Sequence, residues 1–197
     1  MDAAEPLFAP HGFAGVSMRQ IAAAAGVDLS LVAYHFESKD ALYNAIVDRI
    51  LADFTRRRTE LLDALERTNP DPTAVELFDM IITAWFEVRY GPAPHRARLI
   101  LRGHNLDYRP AVDAEGNWPS DLFVKRFMAA LARAEPGRTV AYIHWTYHCL
   151  TGSLVYYMTS GDRIERLSGA YCDVQSLDAI RAALLQQVRN AFPAEAE

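Results

Sequence analysis

The chain has 197 residues, 51% of them hydrophobic and 23% charged, with a formal net charge of −5. That balance excludes a fully disordered polymer and a protein coated in basic surface, while leaving room for a local cationic patch. No apolar run approaches the ~18 residues of a membrane-spanning helix, and the acidic start Met1-Asp2-Ala3-Ala4-Glu5-Pro6 lacks the basic region of a secretory signal.

Two cysteines, Cys149 and Cys172, are too few for a disulfide framework or a zinc cluster, so a cytoplasmic protein with reduced thiols and no dealings with a membrane is expected. Glycine and proline gather at a few places and cut the chain into segments of helical spacing. The first segment, 3–9, is barely two turns, with Pro6 tolerable only near a helix start. A short helix is predicted over 17–24, capped by Ser17 and turning Ile21 and Ala25 inward. Gly26 then supplies a left-handed turn, and a second short helix is predicted over 28–34, with Asp28 at its N-cap and Val27, Val32 and Phe36 inward. Two short helices across a tight glycine turn form a helix-turn-helix, whose second helix has the size of a B-DNA major groove.

The longest segment, 38–68, carries Leu42, Ile46, Ile50, Phe54, Leu61 and Leu65 on one stripe. Within it, Arg56, Arg57 and Arg58 point about 100° apart and are expected on a solvated face. Segment 73–90 repeats Leu77, Ile81, Ala84 and Val88, and further helices are predicted over 95–108 and 120–134. From 140 to 158 the stripe is Val140, Ile143, Tyr147, Leu150, Leu154 and Tyr157; continuity with it makes the apolar run 149–157 helical and Cys149 a small buried packing group. A last helix over 177–188 carries Leu177, Ile180, Leu184 and Val188. The fold class is all-α with about nine helices. Ile143, Tyr147, Leu150, Leu154, Leu184 and Val188 exceed what one bundle needs, so these two helices are expected to close a four-helix bundle with a second copy.

The string Gly12-Phe13-Ala14-Gly15-Val16-Ser17-Met18-Arg19-Gln20-Ile21-Ala22-Ala23-Ala24-Ala25-Gly26-Val27, continued through Tyr34-His35-Phe36-Glu37-Ser38-Lys39-Asp40-Ala41-Leu42, resembles the N-terminal domain of the TetR family, with its His-Phe-x-Ser-Lys-x-x-Leu signature intact. The resemblance covers about the first quarter of the chain. It implies a DNA-binding domain at 1–46, with the helix-turn-helix at about 17–36, and an effector-binding and dimerisation domain at 47–197. It implies a ligand-responsive transcriptional regulator, a repressor released from a palindromic operator by a small apolar effector. By the same resemblance Ser17 meets a phosphate, Arg19 reads a base, Leu29, Ser30, Leu31, Ala33 and Tyr34 face the groove, and His35 and Lys39 hold the DNA backbone. Leu29, Leu31 and Ala33 make that reading face apolar, which favours thymine methyl groups. Six acids (Asp2, Glu5, Asp28, Glu37, Asp40, Asp48) outnumber Arg19, Lys39 and Arg49 in the first fifty residues. With the short first segment, that points to residues preceding Met1 in the full-length protein.

The region from His144 to Asp178 resembles fatty-acid or acyl-CoA-responsive members, which implies a fatty acid or acyl thioester as effector. The aromatic residues Trp85, Phe86, Tyr90, Phe123, Phe127, Trp145 and Tyr147 read as core. Some of them also suit an apolar effector pocket, with Arg89, Arg102 or His104 meeting a polar headgroup and His144 and His148 as polar lining or a dimer contact. His144 and His148 have metal-ligand spacing but no third ligand, so no metal is expected. No phosphate-binding loop, nucleophile elbow, dinucleotide fingerprint or Cys-x-x-Cys is present, so no catalytic residue and no cofactor is expected. Two other classes remain open: an all-α enzyme built on His104, His144 and His148, and a helical adaptor without DNA binding.

Overall fold

The computed structural model describes residues 1–105, 112–169 and 171–193, with side chains at all of these except 102–105. Among the described residues there are ten α-helices and no strand. They are α1 (Glu5–His11), α2 (Met18–Ala25), α3 (Leu29–His35), α4 (Lys39–Thr68), α5 (Ala74–Tyr90), α6 (His95–Asn105), α7 (Asp121–Ala134), α8 (Val140–Thr159), α9 (Gly161–Ser168) and α10 (Leu177–Ala191). The chain divides into two units, Met1–Arg56 with Val88–Ser120, and Arg57–Glu87 with Asp121–Glu197. No helix is long and apolar enough to cross a membrane.

In the first unit, the apolar positions of α1 and α4 form the core. Phe8, Leu42, Tyr43, Ile46 and Val47 are all but excluded from solvent, and the Tyr43 ring meets Phe8 and Phe13 edge-on at 5.0 and 5.4 Å. Helix α1 packs along α6, whose Ala97, Leu99 and Ile100 are buried. A buried carboxylate ties three helices here. Glu5 on α1 accepts hydrogen bonds from Arg96 of α6 (2.8 and 3.1 Å) and from Arg49 of α4, and His95 Nε2 lies 3.2 Å away. Arg49 also bonds Asp2 at 2.6 Å.

In the second unit, α8 packs against α7, α9 and α10. Phe78, Phe123, Phe127 and Tyr147 form an aromatic cluster, with Phe127 meeting Phe78 at 5.6 Å and Tyr147 at 5.5 Å. Full burial of an aromatic ring of this size is worth about 1.5–3 kcal/mol, so the cluster anchors the unit. Ion pairs lace its surface: Arg126 bonds Asp63 (2.6 Å) and Glu66 (2.5 Å), and Arg57 holds Glu87 through two bonds of 2.7 Å.

Several expectations need correction. Ile143, Tyr147, Leu150, Leu154, Leu184 and Val188 are buried within the single chain, so they are not the surface offered to a second copy. Arg58 is not solvated: it is only 7% exposed and lies over the Phe123 ring at 4.4 Å. Cys149 is exposed, because it falls on the outward side of α8 between the inward positions Tyr147 and Leu150. Helix α9, which was not expected, brings the number among the described residues to ten. The last residues of the helix predicted over 95–108, and the side chains of Arg102 and His104, lie outside the described residues.

Candidate nucleic-acid interface

The geometry of the α2–α3 pair begins with its caps. Ser17 Oγ accepts from the Gln20 backbone at 3.3 Å while Gln20 Oε1 accepts from the Ser17 backbone at 2.8 Å, a reciprocal capping box that fixes where α2 starts. Just upstream, the backbone passes so close to His11 that a Cβ on Gly15 would stand 2.5 Å from the His11 carbonyl oxygen. At the other end, Gly26 adopts φ +67°, a left-handed conformation that residues with a Cβ resist, and the chain reverses into α3. Asp28 occupies the N-cap position of α3 without a side-chain capping bond.

Helix α3 turns Val32 inward and leaves Leu29, Ser30, Leu31, Ala33, Tyr34 and His35 exposed. Tyr34 is the extreme case at 84% exposure, with its ring edge-on to His35 at 5.3 Å. An exposed tyrosine beside exposed Leu29 and Leu31 is costly in water unless a partner covers it. At ~1.5 Å per residue, the seven residues of α3 form a rod about 10 Å long, short enough to sit within a major groove ~12 Å wide. Ser17 and Arg19, at the start of α2, are exposed as well.

Lys39 has a second occupation. Its Nζ donates to the carbonyls of Phe13 (2.9 Å) and Val16 (3.1 Å) and lies 4.2 Å over the Phe13 ring. It therefore pins the loop leading to Ser17 onto the first turn of α4. An ammonium carries three donors, so one remains for a phosphate.

The residues expected around an effector are dispersed differently. Trp85, Phe86, Phe123 and Phe127 are buried in the second unit. Arg89 belongs to the first unit and rests on the Tyr90 ring at 5.2 Å. His144 and His148 are neighbours on α8, with ring centroids 6.5 Å apart; both are exposed, and the His148 ring meets Tyr147 of the aromatic cluster edge-on at 5.1 Å. Among the described residues, no group of three or more metal-ligating side chains gathers.

Sequence reasoning missed Arg58. Burial pushes its guanidinium down to about 10, against a partial opposing pull from the Tyr147 phenol, so it stays cationic at neutral pH. The signal was available, because Arg58 stands four residues after Phe54 and four before Leu62, in phase with the buried stripe of α4.

A helix-turn-helix with an outward second helix, followed by a long α4 and a separate helical unit, defines a class. The model of bacterial regulatory proteins of the tetR family matches residues 1–46, and that of the tetracyclin repressor-like C-terminal domain matches residues 120–188, together more than half of the chain. The chain belongs to the TetR family and is a DNA-binding transcriptional regulator. A proposed transcriptional regulator of Streptomyces coelicolor, SCO4942, has a similar fold, with a TM-score of 0.64 and 22% identity over 98% of this chain and 95% of that one. The superantigen PfiT is similar at a TM-score of 0.63 and 20% identity, over 94% of this chain and 91% of that one. No curated protein matches the chain in sequence.

Proposed function

We propose that the chain is a repressor working as a homodimer in the cytoplasm, with residues 1–46 on operator DNA and 47–197 binding a small effector and the second subunit. The observation that carries this reading is the outward face of α3, where Leu29, Ser30, Leu31, Ala33, Tyr34 and His35 are all open to solvent beside Ser17 and Arg19. Two copies of α3, about 34–36 Å apart across a two-fold axis, would enter successive major grooves of a palindrome. Effector binding favours a state in which that spacing is wrong, and the difference in its affinity for the two states sets how far the operator is released. Its working principle is binding, not turnover.

In this reading Arg19 reads a guanine edge, Leu29, Leu31 and Ala33 contact thymine methyls, and Ser17, His35 and the third donor of Lys39 hold phosphates. Arg19→Ala should lose about 1–3 kcal/mol of discrimination at one base pair per half-site, while leaving thermal stability unchanged. Lys39→Ala should weaken specific and random DNA alike and also lower the melting temperature, because it unpins the loop before Ser17. Titrating both variants against operator and scrambled duplexes checks this. If Arg19→Ala and Lys39→Ala affect the two duplexes identically, the assignment of base and backbone contacts is wrong.

A further inference from the structure

We propose that His144 and His148 form half of a transition-metal site, completed by the same pair from a second copy across a two-fold axis, so that one zinc-class ion bridges the dimer through four imidazoles. This rests on the reading of the chain as a homodimer, with the outward face of α8 offered to the second copy. Residues four apart on a helix stand one above the other on one face. The two rings lie with centroids 6.5 Å apart and planes inclined at 35°. Two imidazoles on one tetrahedral ion hold their centres about 5 Å apart, so a modest side-chain rotation closes the pair. Both rings are exposed, and neither makes a hydrogen bond or an ion pair among the described residues, which leaves their nitrogens open to a metal. The edge of the buried Tyr147 ring, 5.1 Å from that of His148, steadies one of the two ligands.

One chain supplies two ligands and no more: no group of three metal-ligating side chains gathers among the described residues. A structural zinc takes four. A two-fold axis doubles whatever lies beside it, and an axis through the turn between His144 and His148 brings two such pairs together. Three further features of α8 fit a second copy there. The helix carries no Asp, Glu, Lys or Arg along its 20 residues, so its face meets its own image without like-charge repulsion. Trp145, beside the histidines, is 73% exposed, a large apolar group that gains from cover. Gly152, one turn beyond His148, presents no side chain to hold two helices apart. Imidazole ligands suit zinc, copper and nickel, whereas magnesium and calcium prefer oxygen. An ion that binds only the dimer draws the equilibrium toward it, and so toward the form that spans a palindrome.

The test uses the untagged full chain, stripped with EDTA and titrated with zinc chloride, with magnesium chloride as the control. Calorimetry reads the stoichiometry, sedimentation velocity the mass and thermal melting the fold. One zinc should bind per two chains, raise the melting temperature and lower the dimer dissociation constant at least about tenfold, while magnesium does none of these. His144→Ala and His148→Ala should each abolish the zinc-dependent gain. Neither should move the zinc-free melting temperature, because both rings are exposed and unbonded. One zinc per chain with no change in mass overturns the shared site, as does a zinc response that survives both histidine variants. A chain that dimerises without zinc and binds none overturns the metal site and leaves the dimer reading standing. A chain that stays monomeric at every zinc concentration overturns both.

Discussion

Trp145→Asp and Gly152→Glu should each yield a folded monomer whose affinity for a palindromic operator falls by about two to four orders of magnitude, the gain that joining two binding modules supplies. The outward face of α8 carries Trp145 (73% exposed), His148, Gly152 and Tyr156 (47% exposed) at helical spacing. Its opposite face, with Ile143, Tyr147, Leu150 and Leu154, is occupied by the chain's own interior. An exposed tryptophan and tyrosine flanking a glycine suit the close approach of a second copy, and a two-fold axis would make the contact self-complementary. Gly152 is otherwise unexplained within one chain: a Cβ there meets nothing within 4 Å, and glycine inside a helix costs about 1 kcal/mol relative to alanine. Monomer stability should therefore survive both changes. Light scattering reads the mass, thermal melting the fold, and gel shift the affinity; variants that remain dimeric and bind normally would move the interface away from α8.

Glu5→Ala should destabilise the first unit by about 2–3 kcal/mol. Removing one member of a buried ion pair typically costs about 3–5 kcal/mol, but the Arg49 and Arg96 side chains are 34% and 31% exposed and recover part of their hydration. Burial pushes the Glu5 carboxyl up; hydrogen bonds from Arg96, Arg49 and His95 outweigh it and hold the group below its ordinary value of 4.5. A carboxyl depressed by folding contributes stability that is fully present above that ordinary value and is lost as pH falls through the folded one. Urea melts between pH 3 and 7 should accordingly show a steep acid-side decline in the wild type and a shallower one in Glu5→Gln. Parallel acid limbs for the two proteins would show that Glu5 does not govern the decline.

Local chemistry made the helix-turn-helix legible. Ser17 and Gln20 sit at capping-box spacing, and Gly26 marks a left-handed turn, so the helices predicted over 17–24 and 28–34 differ by one residue from α2 (Met18–Ala25) and α3 (Leu29–His35). Helix α9 was hidden because it buries no residue, leaving no apolar stripe to read, and Gly161 opens it where glycine reads as a stop. Periodicity located the inward stripe of α8 but could not say whose interior it filled, since one chain and a dimer bury the same pattern. Arg58 was obscured by its neighbours: three successive arginines look solvated, although helical phase turns the third one inward. Glu5 carried no local signature, because its partners lie 44, 90 and 91 residues away.

Selection of bound duplexes from a random DNA library, followed by footprinting of the winner, bears most directly on the central claim. The account predicts a two-fold symmetric site, with half-site centres one helical turn apart and protection on one face of the duplex. It also predicts thymine-rich steps at the positions facing Leu29, Leu31 and Ala33, with a guanine opposite Arg19. Selected and random duplexes binding with equal affinity at the same salt concentration would contradict it.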